Sequence, residues 1–342
     1  MLVQIGALTI AAIAGAPSEP FGLSAGFSSD MVLQMAPAKA AVYGWGLGPV
    51  SVKVDGTDGA NEAVTYTVSA AAATGAGGAP SWKALLKGHP AGGSFTITAS
   101  NGRSTATMER ATFGQIFFCS GQSNMALSTF YTFSADTARA AFAGGDKYTQ
   151  LRLFQFGGME MNNTLASYEP NFVSTAQSFS DDPLRGSWYN ASESTRIDIT
   201  QERTAAHNMT VFDTFSATCL YFGLELVDAL GEGAPPIGLI QSAVGGSTIE
   251  AWQSNETLAS CTERMVPHAG LGGGKPPFPF EQHQPAVLYY GYVAPFVNMS
   301  VGGFVWYQGV HSTPCWLPAC YPPACVHGMC LMPACPSAAM HR

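Results

Sequence analysis

The sequence predicts an α/β protein: a flavodoxin-like three-layer domain preceded by a β-sandwich. Between about residue 20 and residue 112, short runs with frequent apolar/polar alternation follow one another without a helical period. From Ala111 onward, strand-like and helix-like segments alternate, the order expected of a parallel sheet with helical crossovers. Three apolar runs in this second part each stop at glycine beside Ser, Gln or Asn. In open α/β sheets the ligand crevice lies outside the carboxyl ends of the strands, so these three endings predict one shared crevice.

Leu2–Ala14 is largely apolar and closes on the small residues Ala12–Ala16, the pattern of a signal-peptide apolar region and cleavage site. It is too short to span a bilayer. Residues 1–16 are therefore read as a signal peptide; because no Lys or Arg precedes them, a truncated signal or a hydrophobic first strand stays open. The sandwich, residues 20–112, draws on Ala41–Trp45, Val50–Val54, Val64–Val68, Trp82–Leu86 and Ser94–Ala99. Asn101-Gly102, between Ser94–Ala99 and Arg103–Met108, predicts a type I′ hairpin, and Ala70–Pro80, rich in Ala and Gly, predicts a loop.

In the second part, residues 113–309, Gln115–Cys119 reads as a strand followed by a helix start at Ser123-Asn124. Leu151–Phe156 is a strand. Ser216–Leu230 is a helix with Leu220, Leu224, Val227 and Leu230 on one face. Ile237–Ile240 is a buried parallel strand, a helix lies near Val287, and a last strand starts at Gly303. The polar, Ser/Asp/Asn-rich stretch from Asn162 to Asn208 reads as a surface loop over the crevice.

The chemistry concentrates at the three strand endings. Phe117–Met125 reads F-F-C-S-G-Q-S-N-M: an apolar strand, a glycine that lets the backbone turn sharply, and Ser123 at the tip. A strand–turn–helix presenting serine is one way a fold exposes a nucleophile, with free helix amides close by for a developing oxyanion. Ile237–Trp252, I-G-L-I-Q-S-A-V-G-G-S-T-I-E-A-W, places Gly245-Gly246 after the next strand, where a backbone N–H can approach a substrate oxygen. Gly303–Gly309, G-F-V-W-Y-Q-G, ends in Gln308. Each string alone is compatible with a plain turn; the three together are not a usual coincidence.

These three blocks, in this order and spacing, resemble the sialate O-acetylesterase family of the SGNH hydrolase superfamily. Ser29-Asp30-Met31-Val32-Leu33-Gln34, Ser216–Gly223 and Val287–Ser300 add to the resemblance, which runs from about residue 20 to residue 309. It implies a serine esterase removing O-acetyl groups from sugars, sialic acid first among them. It further implies Ser123 as nucleophile, and the backbone amides of Ser123 and of Gly245 or Gly246, with the Gln308 side chain, as oxyanion donors. Asn124 would cap the helix and steady the turn. Glu250 and Trp252 would hold the second block and shape the sugar pocket, or merely pack. The sandwich, packed beside the hydrolase domain, reads as a scaffold first and an accessory sugar-contacting face second. No metal or organic cofactor is implied, since Ser-His-Asp chemistry requires none.

The chain departs from the family after Gln308. The family continues Glu-Ser-Asn and later supplies an Asp-x-x-His pair holding the general base; here Val310-His311-Ser312 follows. The seven histidines are His89, His207, His268, His283, His311, His327 and His341, and none has aspartate three residues before it. No base can be named, and the alternative function is an inactive fragment or a carbohydrate-binding relative. Residues 310–342 form a Cys/Pro-rich, low-complexity tail with Cys315, Cys320, Cys325, Cys330 and Cys335 spaced by five. A disulfide cap, a metal site and read-through of an unspliced intron beginning at Val310 are the three readings; the regular period favours the third. On that reading the hydrolase domain lacks its C-terminal part, its sheet keeps an exposed edge, and the chain is unstable.

Composition fits an exported globular protein. The chain has 342 residues, 11% charged and 46% hydrophobic, with net charge −8. An acidic surface without a basic run argues against nucleic acid and anionic membrane as partners, and no segment after residue 16 reaches membrane-spanning length. Five N-x-S/T sequons, at Asn162, Asn190, Asn208, Asn255 and Asn298, point to the secretory route, with a secreted or lysosomal destination. Cys119, Cys219 and Cys261 read as buried or unpaired rather than as a disulfide framework.

Overall fold

The structure is a computed structural model, and it describes residues 21–24, 26–74, 80–144, 147–156, 187–197, 209–260, 286 and 288–309. The expected signal peptide, the Cys-rich tail, Cys261, the sequons Asn162 and Asn208, and most of the Asn162–Asn208 stretch lie outside these residues.

The first nine strands are β1 (Gly22–Leu23), β2 (Val32–Gln34), β3 (Ala41–Trp45), β4 (Ser51–Thr57), β5 (Ala63–Ser69), β6 (Ala71–Thr74), β7 (Pro80–Leu85), β8 (Gly92–Ser100) and β9 (Thr105–Gly121). They form two sheets. One has the order β1-β3-β7-β6; the other runs β5-β4-β8-β9 and continues beyond. Alternate residues of β4, Val52 and Val54, are buried while Ser51, Lys53 and Asp55 face out, the period-2 pattern of a half-buried strand. Val42, Trp82 and Ala84 of the first sheet share one apolar cluster with Val52, Val54, Ile97 and Met108 of the second.

Two sequence expectations are corrected here. Part of Ala70–Pro80 is not loop: β6 pairs antiparallel with β7, and its alanines cost little to place in a sheet. The β8–β9 hairpin exists, but its turn is not type I′. Ser100 pairs with Thr105 across a four-residue loop, and the Asn101 Oδ1 accepts from the N–H groups of Arg103 and Ser104 at 3.0 and 2.8 Å. Asn101 thus builds the turn with its side chain rather than by adopting positive φ.

The boundary read at residue 112/113 falls inside a continuous strand. β9 is 17 residues long, antiparallel to β8 at its start and parallel to later strands at its end. It bends through a register irregularity opposite Phe95–Ile97, beside Arg110 at φ +54°. Arg110 is tied to Asp30 through a two-pronged ion pair. One strand therefore belongs to both regions, and no linker separates them.

Beyond β9 lie α1 (Ser123–Ala126), α2 (Ala135–Ala143), β10 (Leu151–Gln155), β11 (Trp188–Asn190), α3 (Ala217–Leu230), β12 (Ile237–Ala243) and β13 (Gly303–Tyr307). The sheet order is β11-β10-β12-β9-β13; β10, β12, β9 and β13 are mutually parallel and β11 is antiparallel. All seven residues of β12 are buried, as a central parallel strand covered on both faces requires. On one face α3 packs Leu220, Leu224 and Val227 against Leu151, Leu153, Leu239 and Phe117. Leu230, expected on that same face, is half exposed at the helix end. Ser216 caps α3, its Oγ accepting from the Cys219 N–H at 3.1 Å. On the opposite face Phe118, Phe154, Ile240 and Val244 meet Trp252, Tyr292 and Phe296 from short helical turns at Ile249–Trp252 and Tyr289–Phe296.

Cys119 and Cys219 are not unpaired: a disulfide joins the end of β9 to the first turn of α3, and both residues are fully buried. Among the described residues β11 and β13 are the outer strands of this parallel part, and on β13 Phe304, Trp306 and Tyr307 are 71%, 39% and 40% exposed.

Candidate active site

Each of the four parallel strands carries a glutamine at or near its end: Gln155 ends β10, Gln241 lies two residues before the end of β12, Gln122 follows β9 and Gln308 follows β13. Two of them fix loops that frame the crevice. Gln155 exchanges hydrogen bonds with Thr214, whose Oγ1 donates to Gln155 Oε1 at 3.0 Å while Gln155 Nε2 donates to the Thr214 carbonyl. Gln241 Oε1 accepts from the Ser216 N–H.

Ser123 opens α1 directly after the turn, as the motif predicts. Flanking strands hold that turn on both sides. The Gln122 N–H donates to the Tyr307 carbonyl at 3.0 Å, and the Val244 N–H donates to the Gly121 carbonyl at 3.1 Å. Gly121 sits at φ +143°, and a Cβ there would fall 2.0 Å from the Tyr307 carbonyl oxygen. Neither the backbone angle nor the space tolerates a side chain. Gly121→Ala is therefore expected to destabilise the protein by at least about 3 kcal/mol, read as a lowered midpoint in denaturant unfolding.

The second loop touches the first. A Cβ placed on Gly245 would meet Cα and Cβ of Ser123 at 3.7 Å, ordinary contact distance. Gly246 follows at φ +71°, which turns the chain back over the strand end. The N–H groups of Ser123 and Gly246 make no hydrogen bond among the described residues, so both remain available to an anionic oxygen.

Gln308 reaches the same loop: its Nε2 donates to the Ser247 carbonyl at 3.1 Å. In this structure that side chain ties the third block to the second. Ser247, which sequence reasoning passed over, is the hub. Its Oγ donates to the Val244 carbonyl and accepts from Trp252 Nε1, each at 2.8 Å. The signal was present in the sequence, since a serine following Gly-Gly is suited to bond its own loop.

The supporting residues divide. Trp252 is 5% exposed and packs edge-on against Trp306. Glu250 acts through its carbonyl, which accepts from the Ala286 N–H at 3.0 Å. Asn124 does not cap the helix. Gln122 occupies the N-cap position, while Asn124 is exposed and its carbonyl accepts from Thr218 Oγ1 at 3.0 Å. The short strand-to-helix turn leaves no residue between Gln122 and the helix, which is why capping shifts back.

One histidine, His89, lies among the described residues. Its ring stacks on Phe113 at 4.3 Å and its Nε2 bonds the Tyr66 hydroxyl at 2.8 Å. Nine residues separate Phe113 from Ser123, eight of them in β9, which puts the two roughly 25–30 Å apart at the rise of an extended chain. His89 cannot serve Ser123. His207, His268, His283, His311, His327 and His341 lie outside the described residues.

No protein-family model matches the chain. Among curated proteins it is 27% identical over 298 residues to the sialate O-acetylesterases of Pongo abelii and Homo sapiens, covering 84% of this chain and 48% of each relative. Over most of its length the chain is similar to sialate O-acetylesterases. The relative from Rattus norvegicus is 26% identical over 330 residues, covering 88% of the chain and 54% of that protein. The chain thus spans about half the length of the curated relatives it matches. A solved carbohydrate acetylesterase from Xanthomonas citri shares the fold, with TM-score 0.53 and 22% identity over 85% of this chain and 51% of that one.

Proposed function

We propose that the chain is a serine esterase that removes O-acetyl groups from sugars, with O-acetylated sialic acid as its substrate. The observation that carries this reading is the contact of Gly245 with Ser123 at the carboxyl ends of adjacent parallel strands. In the reaction Ser123 Oγ would attack the acetyl carbonyl, losing its proton to a base. The amides of Ser123 and of Gly245 or Gly246 would receive the charge on the carbonyl oxygen. Gln308 would steady that cradle through Ser247 and direct its remaining N–H toward the same oxygen. Collapse of the adduct would break the ester C–O bond and expel the sugar hydroxyl, protonated by that same base, and water would then hydrolyse the acetyl-serine to acetate and free Ser123. The names of the relatives and the fold shared with a carbohydrate acetylesterase support the sugar-ester substrate.

A second reading, a sugar-binding relative that keeps Ser123 without activating it, is favoured by the remoteness of His89 from Ser123. The two separate in one experiment. Incubated with O-acetylated N-acetylneuraminate, the chain should release acetate and should be labelled by a serine-directed fluorophosphonate. Folded protein that does neither while still binding the sugar is the binder.

We further infer export to the secretory pathway. The buried Cys119–Cys219 disulfide supports an oxidising compartment. Asn255 and Asn298 are exposed sequon residues, whereas Asn190 uses its side chain in a capping box with Glu193. Among the described residues no helix is long and apolar enough to cross a membrane.

A further inference from the structure

A cleft of about 420 Å³ opens at the amino ends of β10 and β12, opposite the Ser123 crevice. Its walls are the Gly59 turn, the start of β8 at Gly92 and the Pro235-Pro236 segment, with Thr112, Gln150 and Arg152 supplying its polar side chains. From Thr112 to Ser123 is eleven residues along β9, more than about 30 Å, so nothing bound here touches the acetyl chemistry.

Arg152 is unusual in how it is partnered. Its Nη1 donates to the carbonyls of Asp30 and Arg110 at 2.6 and 2.7 Å, and these two bonds fix the plane of the guanidinium. The other edge, Nε with Nη2, has no partner among the described residues, and the side chain is 19% exposed. That edge is the one that takes a carboxylate with two parallel bonds, as Arg110 does with Asp30. The neighbouring carboxylates are already committed. Both Asp30 oxygens are held by Arg110, and the nearer lies 3.9 Å from Arg152 Nη1. Glu109 pairs with Arg110, and Glu193 accepts from the Asn190 N–H. Burial pulls the Arg152 pKa below its ordinary value, yet a guanidinium stays charged at any physiological pH. A cation so placed is desolvated along Nη1 and keeps its Nε–Nη2 edge without a partner among the described residues. Beside it, Thr112 is 3% exposed and its hydroxyl makes no hydrogen bond to any described residue.

We propose that this cleft is a second saccharide site, in which the Nε–Nη2 edge of Arg152 grips the carboxylate of an acidic pyranose. Thr112 and Gln150 meet the ring hydroxyls, and Ala234 with Pro235 face the apolar side of the ring. The carboxylate follows from the guanidinium; that its bearer is a sugar rests on the esterase reading. The volume falls in the range of small-molecule sites. Such a site holds an acidic glycan on the enzyme while a different residue of it is deacetylated.

The test is a titration of N-acetylneuraminate, its methyl ester and propionate into wild type, Arg152→Lys and Thr112→Val, at low salt, followed by calorimetry or saturation-transfer NMR. Lysine can still bond one carbonyl but lacks the planar fork, so Arg152→Lys should weaken the acid at least about tenfold. Thr112→Val, which keeps the shape, should weaken it about fivefold. The methyl ester should bind wild type no better than the acid binds Arg152→Lys. Hydrolysis of a small aryl acetate should be the same in all three proteins, which also reports that they fold. Equal binding of the acid by wild type and Arg152→Lys, or no saturable binding, overturns the proposal. Propionate binding as tightly as the sugar removes the saccharide from it. Arg152-dependent binding without acetate release by wild type would leave the cleft standing and sink the esterase instead.

Discussion

Ser123→Ala is expected to lower acetate release from O-acetylated sugar by more than about a thousandfold while leaving stability within about 0.5 kcal/mol of wild type. The two halves of this expectation have different origins. The rate falls because no other group at the turn can form the acyl intermediate; what persists is the contribution of the amide cradle and of binding. Stability holds because Ser123 is only partly buried and its hydroxyl bonds no described residue. Ser120, three residues earlier, is the internal control. It is fully buried on β9, and its Oγ has no hydrogen-bond partner among the described residues. Removing a buried, unsatisfied hydroxyl should leave the rate unchanged and should stabilise by about 1 kcal/mol. Kinetics of the two variants beside their denaturant midpoints read both effects. A Ser123→Ala protein that keeps its rate, or a Ser120→Ala protein that loses it, would remove Ser123 from the chemistry.

How far the sequence foretells such a site depends on the range of the interaction. The strand endings were legible because a strand, a glycine and a polar residue are local features, and β9, β12 and β13 stop within three residues of where the apolar runs stop. That these endings share a crevice was legible from the strand-end rule and from the family resemblance, but the adjacency of β9 to β12 and β13 is a matter of topology that no local string states. The hairpin at Asn101 was visible, but its turn type was not. Asn-Gly supports a type I′ turn through backbone angles or a side-chain-built turn through Oδ1, and the register of β8 on β9 decides between them. The single strand Thr105–Gly121 was read as two because Glu109-Arg110 breaks the apolar pattern. Asp30, from far upstream, neutralises Arg110 and lets the strand run on. The same distance problem hid the disulfide: its cysteines are 100 residues apart, and no spacing rule links them.

That disulfide gives the second large effect. Replacing Cys119 and Cys219 together by alanine should destabilise the protein by about 2–4 kcal/mol. The closed loop is long, 100 residues, so in the chain-entropy account the bond removes much freedom from the unfolded ensemble. Both residues lie in the apolar cluster between α3 and the sheet with Met125 and Leu220, where alanine also leaves unfilled space. The bond has a local consequence as well. Cys119 precedes Ser123 by four residues, and Cys219 opens the helix that Ser216 caps, so the crosslink fixes the strand end that carries the turn. Activity of the double variant should accordingly fade at lower denaturant than its secondary structure does, whereas in wild type the two should disappear together. Because both residues are fully buried, a reductant should leave the native protein oxidised and act once denaturant opens it. Unfolding curves by circular dichroism and acetate release, with thiol counts by mass spectrometry at each denaturant concentration, measure all of this. Coincident midpoints for wild type and the double variant would mean that packing of α3 on β12, and not the crosslink, holds the turn in place.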